Sequence, residues 1–407
     1  MAHTAQRAFI GPDRLRAIQA AIRDRGLDGW LLYDYHATNP IAGRVLGLPQ
    51  PLSRRYFVLI PVEGRPVAVA HTLERPPWND WAGAIRVYFT WQELEKTLGE
   101  LLTPGLRIAI EYSETDRIPQ LDRTPAGVLD LIKRAGVQLV ESSELVTLFA
   151  AAWSEAELVS HRQSSAILAQ VAAKAFKQAA RAVKDKQGLS EWGLKESILA
   201  MLAEAEIVDA DTIVGVGPNA ADGHYEPTPK DAAPIVKDRV LLIDLWGREA
   251  GSVFADQTWM GFMGKEIPAR VNDVWRCVHG ARTAAVKLLE DGQAGTLRGC
   301  DVDAASRAVI EKAGFGKQFN HRTGHSIDAE LHGLGPNIDG IETRDERVLL
   351  PSIGFSIEPG VYLEGEFGVR SEINVYLGPA GPEVTTPKPQ AHIYALLDDR
   401  WESESNL

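Results

Sequence analysis

Four carboxylates stand inside apolar runs where water is expected to be excluded. Asp244 lies in Val240-Leu-Leu-Ile-Asp-Leu-Trp, and Asp256 follows Ser252-Val-Phe-Ala. Glu358 lies in Gly354-Phe-Ser-Ile-Glu-Pro-Gly, and Glu372 in Val369-Arg-Ser-Glu-Ile-Asn-Val-Tyr-Leu. A carboxylate on an inward strand position costs several kcal/mol of desolvation, roughly, unless a cation receives it. Any one of them alone reads as a strand-end group facing water or an arginine. Four together exceed what Arg370 can neutralise, whereas a pair of divalent cations takes up all four. Each pair also brackets a hairpin signal, Gly247-Arg-Glu-Ala-Gly between the aspartates and Glu364-Gly-Glu-Phe-Gly between the glutamates.

A nitrogen ligand has three candidates among the ten histidines. His325 lies in Arg322-Thr-Gly-His-Ser-Ile-Asp, where Gly324 permits close backbone approach. His332 follows in Leu331-His-Gly-Leu-Gly-Pro, and His224 lies in a turn-rich loop starting at Gly217. Taken singly, each reads as a solvated loop histidine. Four carboxylates and one imidazole form a hard, oxygen-rich set that suits Mn²⁺, Co²⁺ or Fe²⁺ and tolerates Zn²⁺; it is unlike a structural thiolate zinc site. Paired metals of this kind serve hydrolysis. No Gly-x-Ser-x-Gly nucleophile elbow and no phosphate-binding Gly-Lys-Ser/Thr loop accompanies them.

The elements that must hold these groups fall into two stretches. Residues 1–150 alternate helical and strand patterns: a helix over Arg14–Arg25, strands at Gly29–Tyr33, Arg55–Ile60, Pro66–Ala70 and Leu106–Ile110, and an amphipathic helix over Trp91–Leu102. Ser154, with Glu157 three residues on, is a capping box that opens a long helix reaching about Val183. The domain boundary is therefore placed at 150. Residues 151–407 follow with helices at 153–184 and 190–206 and strands around 211–216, 239–245 and 252–262. Helices at 270–290 and 301–313 come next, then strands to the end. Helices segregated from antiparallel hairpins predict an α+β class.

Composition narrows the field. The 407 residues carry 55 acidic against 43 basic side chains, a net charge of −12, which argues against a nucleic-acid footprint. Cys277 and Cys300 are the only cysteines, so no disulfide framework exists and a reducing compartment is expected. Met1 to Ile10 lacks a basic stretch followed by an apolar core, and no apolar run nears a membrane span. A cytoplasmic protein without membrane or nucleic-acid partners is the expectation.

On these residues the chain resembles the metallopeptidases of the pita-bread fold, the group of prolidase, aminopeptidase P and methionine aminopeptidase. The resemblance rests on Ile243-Asp-Leu, Asp256-Gln-Thr, Gly324-His, Ile357-Glu-Pro-Gly-Val-Tyr and Gly368-Val-Arg-Ser-Glu, in that order, and covers about 151–380. It implies a pita-bread domain at 151–407 and, at 1–150, the α/β domain that prolidases and creatinases carry. It also implies a ligand set of Asp244, Asp256, His325, Glu358 and Glu372 around two metal ions, manganese first, with Co, Zn or Fe as alternatives. Asp244 would bind one ion, Asp256 and Glu372 both, and His325 and Glu358 the second. His224 and His332 would stabilise the developing oxyanion, Glu358 would pass a proton to the leaving nitrogen, and Arg370 and Thr258 would orient the ligands from behind. The substrate implied is a short proline peptide and the assembly a homodimer.

Departures bear on specificity. The aspartates are twelve residues apart, one more than the family's usual spacing, with an insertion near Trp246. Trp259 replaces an expected arginine, and Glu372-Ile-Asn replaces the usual Glu-Asp. An Xaa-Pro dipeptidase is the first reading and an Xaa-Pro aminopeptidase acting on longer peptides the second. A lyase of dimethylsulfoniopropionate on the same scaffold is a reading of another class, and a non-catalytic binding protein a fourth; the latter usually loses metal ligands that are all present here.

Overall fold

The computed structural model describes residues 9–48, 51–292 and 295–402. The stretch up to residue 8, read above for a secretory signal, lies outside the described residues. The chain divides into two compact units, Met1–Ala150 and Ala151–Leu407.

The first unit is built on one six-stranded sheet. Its strands are β1 (Gly29–Asp34), β2 (Tyr56–Pro61), β3 (Val67–His71), β4 (Ala84–Tyr88), β5 (Arg107–Ile110) and β6 (Gln138–Glu141), in the order β4-β3-β2-β1-β5-β6. β1, β2 and β3 pair antiparallel, and the remaining contacts are parallel. Its helices are α1 (Pro12–Asp24), α2 (Pro40–Leu46), α3 (Trp91–Leu101), α4 (Ala126–Lys133) and α5 (Ser143–Val146). β1 is buried along its whole length, as a central strand covered on both faces must be. β4, missed in the sequence because it shows no alternation, is the exposed edge, with Ile85 and Val87 open to solvent.

The second unit opens with α6 (Glu155–Asp185), capped by Ser154 in the reciprocal box with Glu157 that the sequence predicts, and α7 (Glu191–Glu204). β7 (Val208–Val216), β8 (Val240–Arg248) and β9 (Ala255–Phe262) form an antiparallel meander, extended by the short parallel strand β16 (Tyr394–Ala395). Helices α8 (Ala269–Asp291) and α9 (Gly299–Lys312) precede a second sheet. That sheet contains β10 (Ser326–Ile327), β11 (Ile353–Ile357), β14 (Ile373–Gly378) and β15 (Gly381–Val384), all antiparallel. β12 (Gly360–Leu363) and β13 (Phe367–Arg370) make a separate hairpin. α6 and α7 pack Phe176, Leu194 and Ile198 against Ile243, Leu245 and Trp259 of the meander, a fully apolar layer. α8 and α9 cover its neighbour, where Trp275, Val278 and Ile310 meet Met260, Val361 and Val369. Burial of this kind is worth about 25 cal/mol per Å², and it holds the two sheets as rigid supports for the groups between them.

Candidate metal centre

The meander supplies the two aspartates. Asp244 is in mid-β8, paired across to Thr258 of β9, and Asp256 is paired to Trp246. The two carboxylates are therefore diagonal neighbours on one face, within mutual reach. Both are buried, at 6% and 5% exposure. The twelve-residue spacing is taken up in the turn after Arg248, which leaves this pairing regular.

The glutamates come from the second sheet, in a manner the sequence did not foresee. They do not sit inside strands. Glu358 follows the end of β11 and Glu372 precedes the start of β14, while the Glu364 turn closes the separate β12–β13 hairpin. Pro359 supplies the break after Glu358, because it has no N–H for a ladder. The strand end is what frees Glu358 to turn: its N–H donates to the Thr323 carbonyl at 2.7 Å, and its Oε1 accepts from Ser356 Oγ at 2.9 Å.

His325 arrives on the loop after α9. Gly324 makes this possible: a Cβ there would meet the Ser356 carbonyl oxygen at 2.0 Å. The His325 N–H donates to Ser356 Oγ at 2.9 Å, and its Nδ1 lies 3.1 Å from the Ser326 carbonyl. An Nδ1–H donated to that carbonyl leaves the Nε2 lone pair free, as a ligand imidazole requires. Nε2 faces Asp256 at 3.3 Å and Glu358 at 3.4 Å. Asp256, His325 and Glu372 each offer a ligand atom within 4.8 Å of the others.

Behind the cluster, Arg370 forms an ion pair with Asp244 and donates from Nε to Thr258 Oγ1 at 2.8 Å. The Thr258 hydroxyl donates in turn to Glu372 Oε2 at 2.7 Å. Arg370 and Thr258 thus tie one carboxylate from each sheet to a common support. Asn374, where the family resemblance departs, accepts the Asp256 N–H at 2.9 Å.

Electrostatics show what is missing from a purely protein environment. Burial, followed by the charges of Asp256, Glu358 and Asp244, pushes the Glu372 carboxyl well above the usual range. Burial pushes Asp244 up to about 7 despite Arg370. Burial also raises Asp256, against the pull of the adjacent His325 ring. Burial would lower the His325 imidazole, but the neighbouring Asp256 and Glu358 carboxylates outweigh it and hold the ring above its ordinary value. Glu358 alone is lowered, its burial overcome by His325 and Arg370. Asp244 Oδ1 and Asp256 Oδ1 are buried without a hydrogen-bond partner. Orphaned acceptors in a crowd of acids, with one free imidazole nitrogen, fit divalent cations in charge and in donor chemistry.

The cluster forms the floor of a cavity of about 550 Å³, with Ile213, Trp246 and Leu331 as its apolar wall. His224 and His332 both line it. The His332 ring stands edge-on to His325, centroids 4.4 Å apart. His332 keeps an exposed edge, yet partial burial of its ring, then the charges of His325 and Arg322, push it down to about 3. The loop bearing His224 is pinned by a residue the sequence did not single out: Glu191 of α7, fully buried, accepts from the N–H groups of Val216 and Ala233 and from the Tyr225 hydroxyl, each at 2.7 Å. His321 was also missed; it lines the cavity and contacts the Tyr362 hydroxyl at 2.9 Å. Neither has a periodicity signal, since both act through loop partners distant in sequence.

Known proteins resemble this chain in sequence and in fold. A model described as metallopeptidase family M24 matches residues 163–379. A probable dipeptidase PepE of Mycobacterium tuberculosis (strain ATCC 25618 / H37Rv) is 26% identical over 368 residues, 88% of this chain and 90% of that protein. An Xaa-Pro dipeptidase of Lactobacillus delbrueckii subsp. lactis is 31% identical over 162 residues, 40% of each. The crystal structure of dipeptidase PepE from Mycobacterium ulcerans superposes with a TM-score of 0.74 at 23% identity, covering 94% of this chain and 97% of that one. This likeness shows the fold: α+β, with the pita-bread architecture expected from the sequence.

Proposed function

Because the chain belongs to metallopeptidase family M24, we propose that it is a dinuclear-metal Xaa-Pro dipeptidase. The observation that supports this reading most directly is the convergence of Asp244, Asp256, His325, Glu358 and Glu372 from two sheets onto one buried centre with unsatisfied acceptors. The peptidase class and its kinship with Xaa-Pro dipeptidases come from the family and the relatives; the dipeptide preference and the number of ions are the proposal.

Those five side chains would hold two divalent ions, manganese first among Mn, Co, Zn and Fe. Bound ions supply an activated water and polarise the scissile carbonyl. The protein does the rest. His224 and His332 hold the substrate carbonyl oxygen by hydrogen bonding as charge develops on it, a preorganised electrostatic role. Glu358, fixed by Ser356, carries a proton to the proline nitrogen as the amide bond breaks. Arg370 and Thr258 keep Asp244 and Glu372 in place throughout. The Ile213–Trp246–Leu331 wall excludes water and takes up the apolar rings of the substrate. A homodimer in the cytoplasm belongs to the same proposal. Among the described residues, no helix is long and apolar enough to cross a membrane.

The test is a metal-depleted activity screen with each ion restored in turn, against Ala-Pro, Ala-Ala and Xaa-Pro tripeptides. Metal-dependent cleavage of Ala-Pro in preference to the others is expected. Preference for tripeptides would replace this reading with an aminopeptidase, and dimethyl sulfide release from dimethylsulfoniopropionate without peptide cleavage would replace it with a lyase.

A further inference from the structure

Three arginines are buried among the described residues: Arg282, Arg347 and Arg370. Two of them have a carboxylate to answer their charge, Arg347 with Asp345 at 2.7 Å and Arg370 with Asp244. Arg282 has none. It lies on the buried face of α8, only 6% exposed. Its Nη1 donates to Ser371 Oγ at 2.7 Å and its Nη2 to the Gln390 carbonyl at 2.9 Å, both neutral groups. Its Nε–H has no partner among the described residues. Burial pushes the guanidinium down to about 10, and no neighbouring charge opposes that. A buried cation without a countercharge costs several kcal/mol, roughly, which an anion from outside the chain would relieve.

Such an anion has a place to sit. Arg282 lines a cavity of about 330 Å³, with α8 on one side and Ile373 of β14 and Val384 of β15 on the other. The cavity shares no lining residue with the one over the metal centre. Its wall is apolar, because Val286 and Val384 pack with Ile373 in one hydrophobic cluster. Its other charged residues, Lys287, Glu290 and Asp291, are all exposed. This mixture defines the ligand. A planar guanidinium fork suits a carboxylate. Two acids against one lysine on the exposed side repel a bare anion, but not one that carries an ammonium beside its carboxylate. Ser371, which Arg282 holds, precedes Glu372, and its N–H donates to the Pro359 carbonyl at 3.2 Å, next to Glu358.

We propose that this cavity is a separate binding site for a free α-amino acid, with the carboxylate on Arg282, the ammonium toward Glu290 and Asp291, and an apolar side chain against Val286, Ile373 and Val384. The ligand is bound there and not cut, so the site stands apart from the Xaa-Pro reading; a dipeptidase of any specificity releases such molecules. Occupancy places a ligand behind the bend that carries Glu358 and Glu372, through the single contact of Arg282 with Ser371.

The test is calorimetric titration of chelator-treated protein, in which the acids of the metal centre offer a carboxylate no cation. The probes are L-leucine, isocaproate (leucine without its amino group) and inorganic phosphate. Wild type is expected to bind leucine saturably, and isocaproate and phosphate more weakly. R282Q should weaken leucine about tenfold to a hundredfold, the worth of one charge-assisted contact, and R282K should recover part of that loss. E290Q/D291N changes two exposed side chains and should weaken leucine about twofold to fivefold without weakening isocaproate. Absence of saturable leucine binding overturns the assignment, as does wild-type affinity in R282Q. Phosphate or isocaproate bound as tightly as leucine reduces the cavity to a simple anion site and overturns the amino-acid ligand. If R282Q lacks the wild-type circular dichroism, E290Q/D291N decides: leucine affinity unchanged from wild type sinks the proposal, and the selective loss supports it.

Discussion

Thr258 shows how much of the centre depends on a residue that binds no metal. Its hydroxyl accepts from Arg370 and donates to Glu372, so one side chain sets the orientation of acids from both sheets. Thr258→Val keeps the shape and removes both contacts. Metal affinity measured by calorimetry should fall about tenfold to a hundredfold, the usual cost of losing such a support. Asp256→Ala or Glu372→Ala removes a ligand outright; neither variant should show metal-dependent turnover after chelation and dialysis, and wild-type rates from either would refute the ligand set. His224 lies outside the cluster on its own loop. His224→Ala should therefore retain its metal content by elemental analysis while kcat falls by about a hundredfold to a thousandfold. The four clustered carboxylates stood out in the sequence because a carboxylate interrupts the apolar pattern around it. Glu191 and His321 did not: a glutamate in a helix or a histidine in a loop looks the same whether it is solvated or surrounded, and only the packing of distant segments tells them apart.

Among the elements, α6 is the one whose sequence states its own limits. Ser154 accepts the Glu157 N–H at 3.3 Å while Glu157 receives the Ser154 N–H at 2.7 Å. Ser154→Ala should cost about 1 kcal/mol, a fall of about 2–4 °C in melting temperature for a unit of this size. One turn on, α6 buries His161 completely. Its Nδ1 lies 2.7 Å from the Phe254 carbonyl and its Nε2 2.7 Å from Thr385 Oγ1, so the neutral Nδ1–H tautomer satisfies both. Burial pushes its pKa down to about 4 from 6.5. The unfolded chain thus binds the proton more readily, and the stability due to neutral His161 is present above pH 6.5 and lost as pH falls through 4. That loss is about 3 kcal/mol. His161→Gln keeps polar partners without a charge; in denaturant titrations at pH 7.5 and 4, wild type should lose about 3 kcal/mol more than the variant between the two. The elements that escaped the sequence did so for physical reasons. β4 is exposed on both faces, so no alternation marks it. The runs around Glu358 and Glu372 read as continuous strands because β-branched and aromatic residues stand on either side of each glutamate, yet Pro359 divides the first and the chain turns at Ser371 before the second.

At the scale of the molecule, the long helices and the two sheets of residues 151–407 have the task of bringing together groups that repel one another. In the absence of cations, burial and mutual charge drive Asp244, Asp256 and Glu372 toward their protonated forms, so part of the packing energy of this unit goes into holding the cluster closed. Cation binding reverses that term, because the ligands ionise into a field that welcomes them. Metal and fold are thus linked: an ion at a hundred times its dissociation constant adds about 2.7 kcal/mol to the native state, or roughly 5–10 °C for a unit of this length. The order of the ions follows from the donors. Oxygen ligands accept all of them, and intrinsic affinity rises from manganese through iron and cobalt, with zinc also above manganese. Scanning calorimetry of chelator-treated protein should therefore show a transition that rises with added manganese and, at equal concentration, rises further with zinc. Asp256→Ala should abolish both shifts while His224→Ala leaves them in place. A transition indifferent to all four ions would mean that the acids between the sheets are neutralised by protons alone, and that the centre is not one for metal.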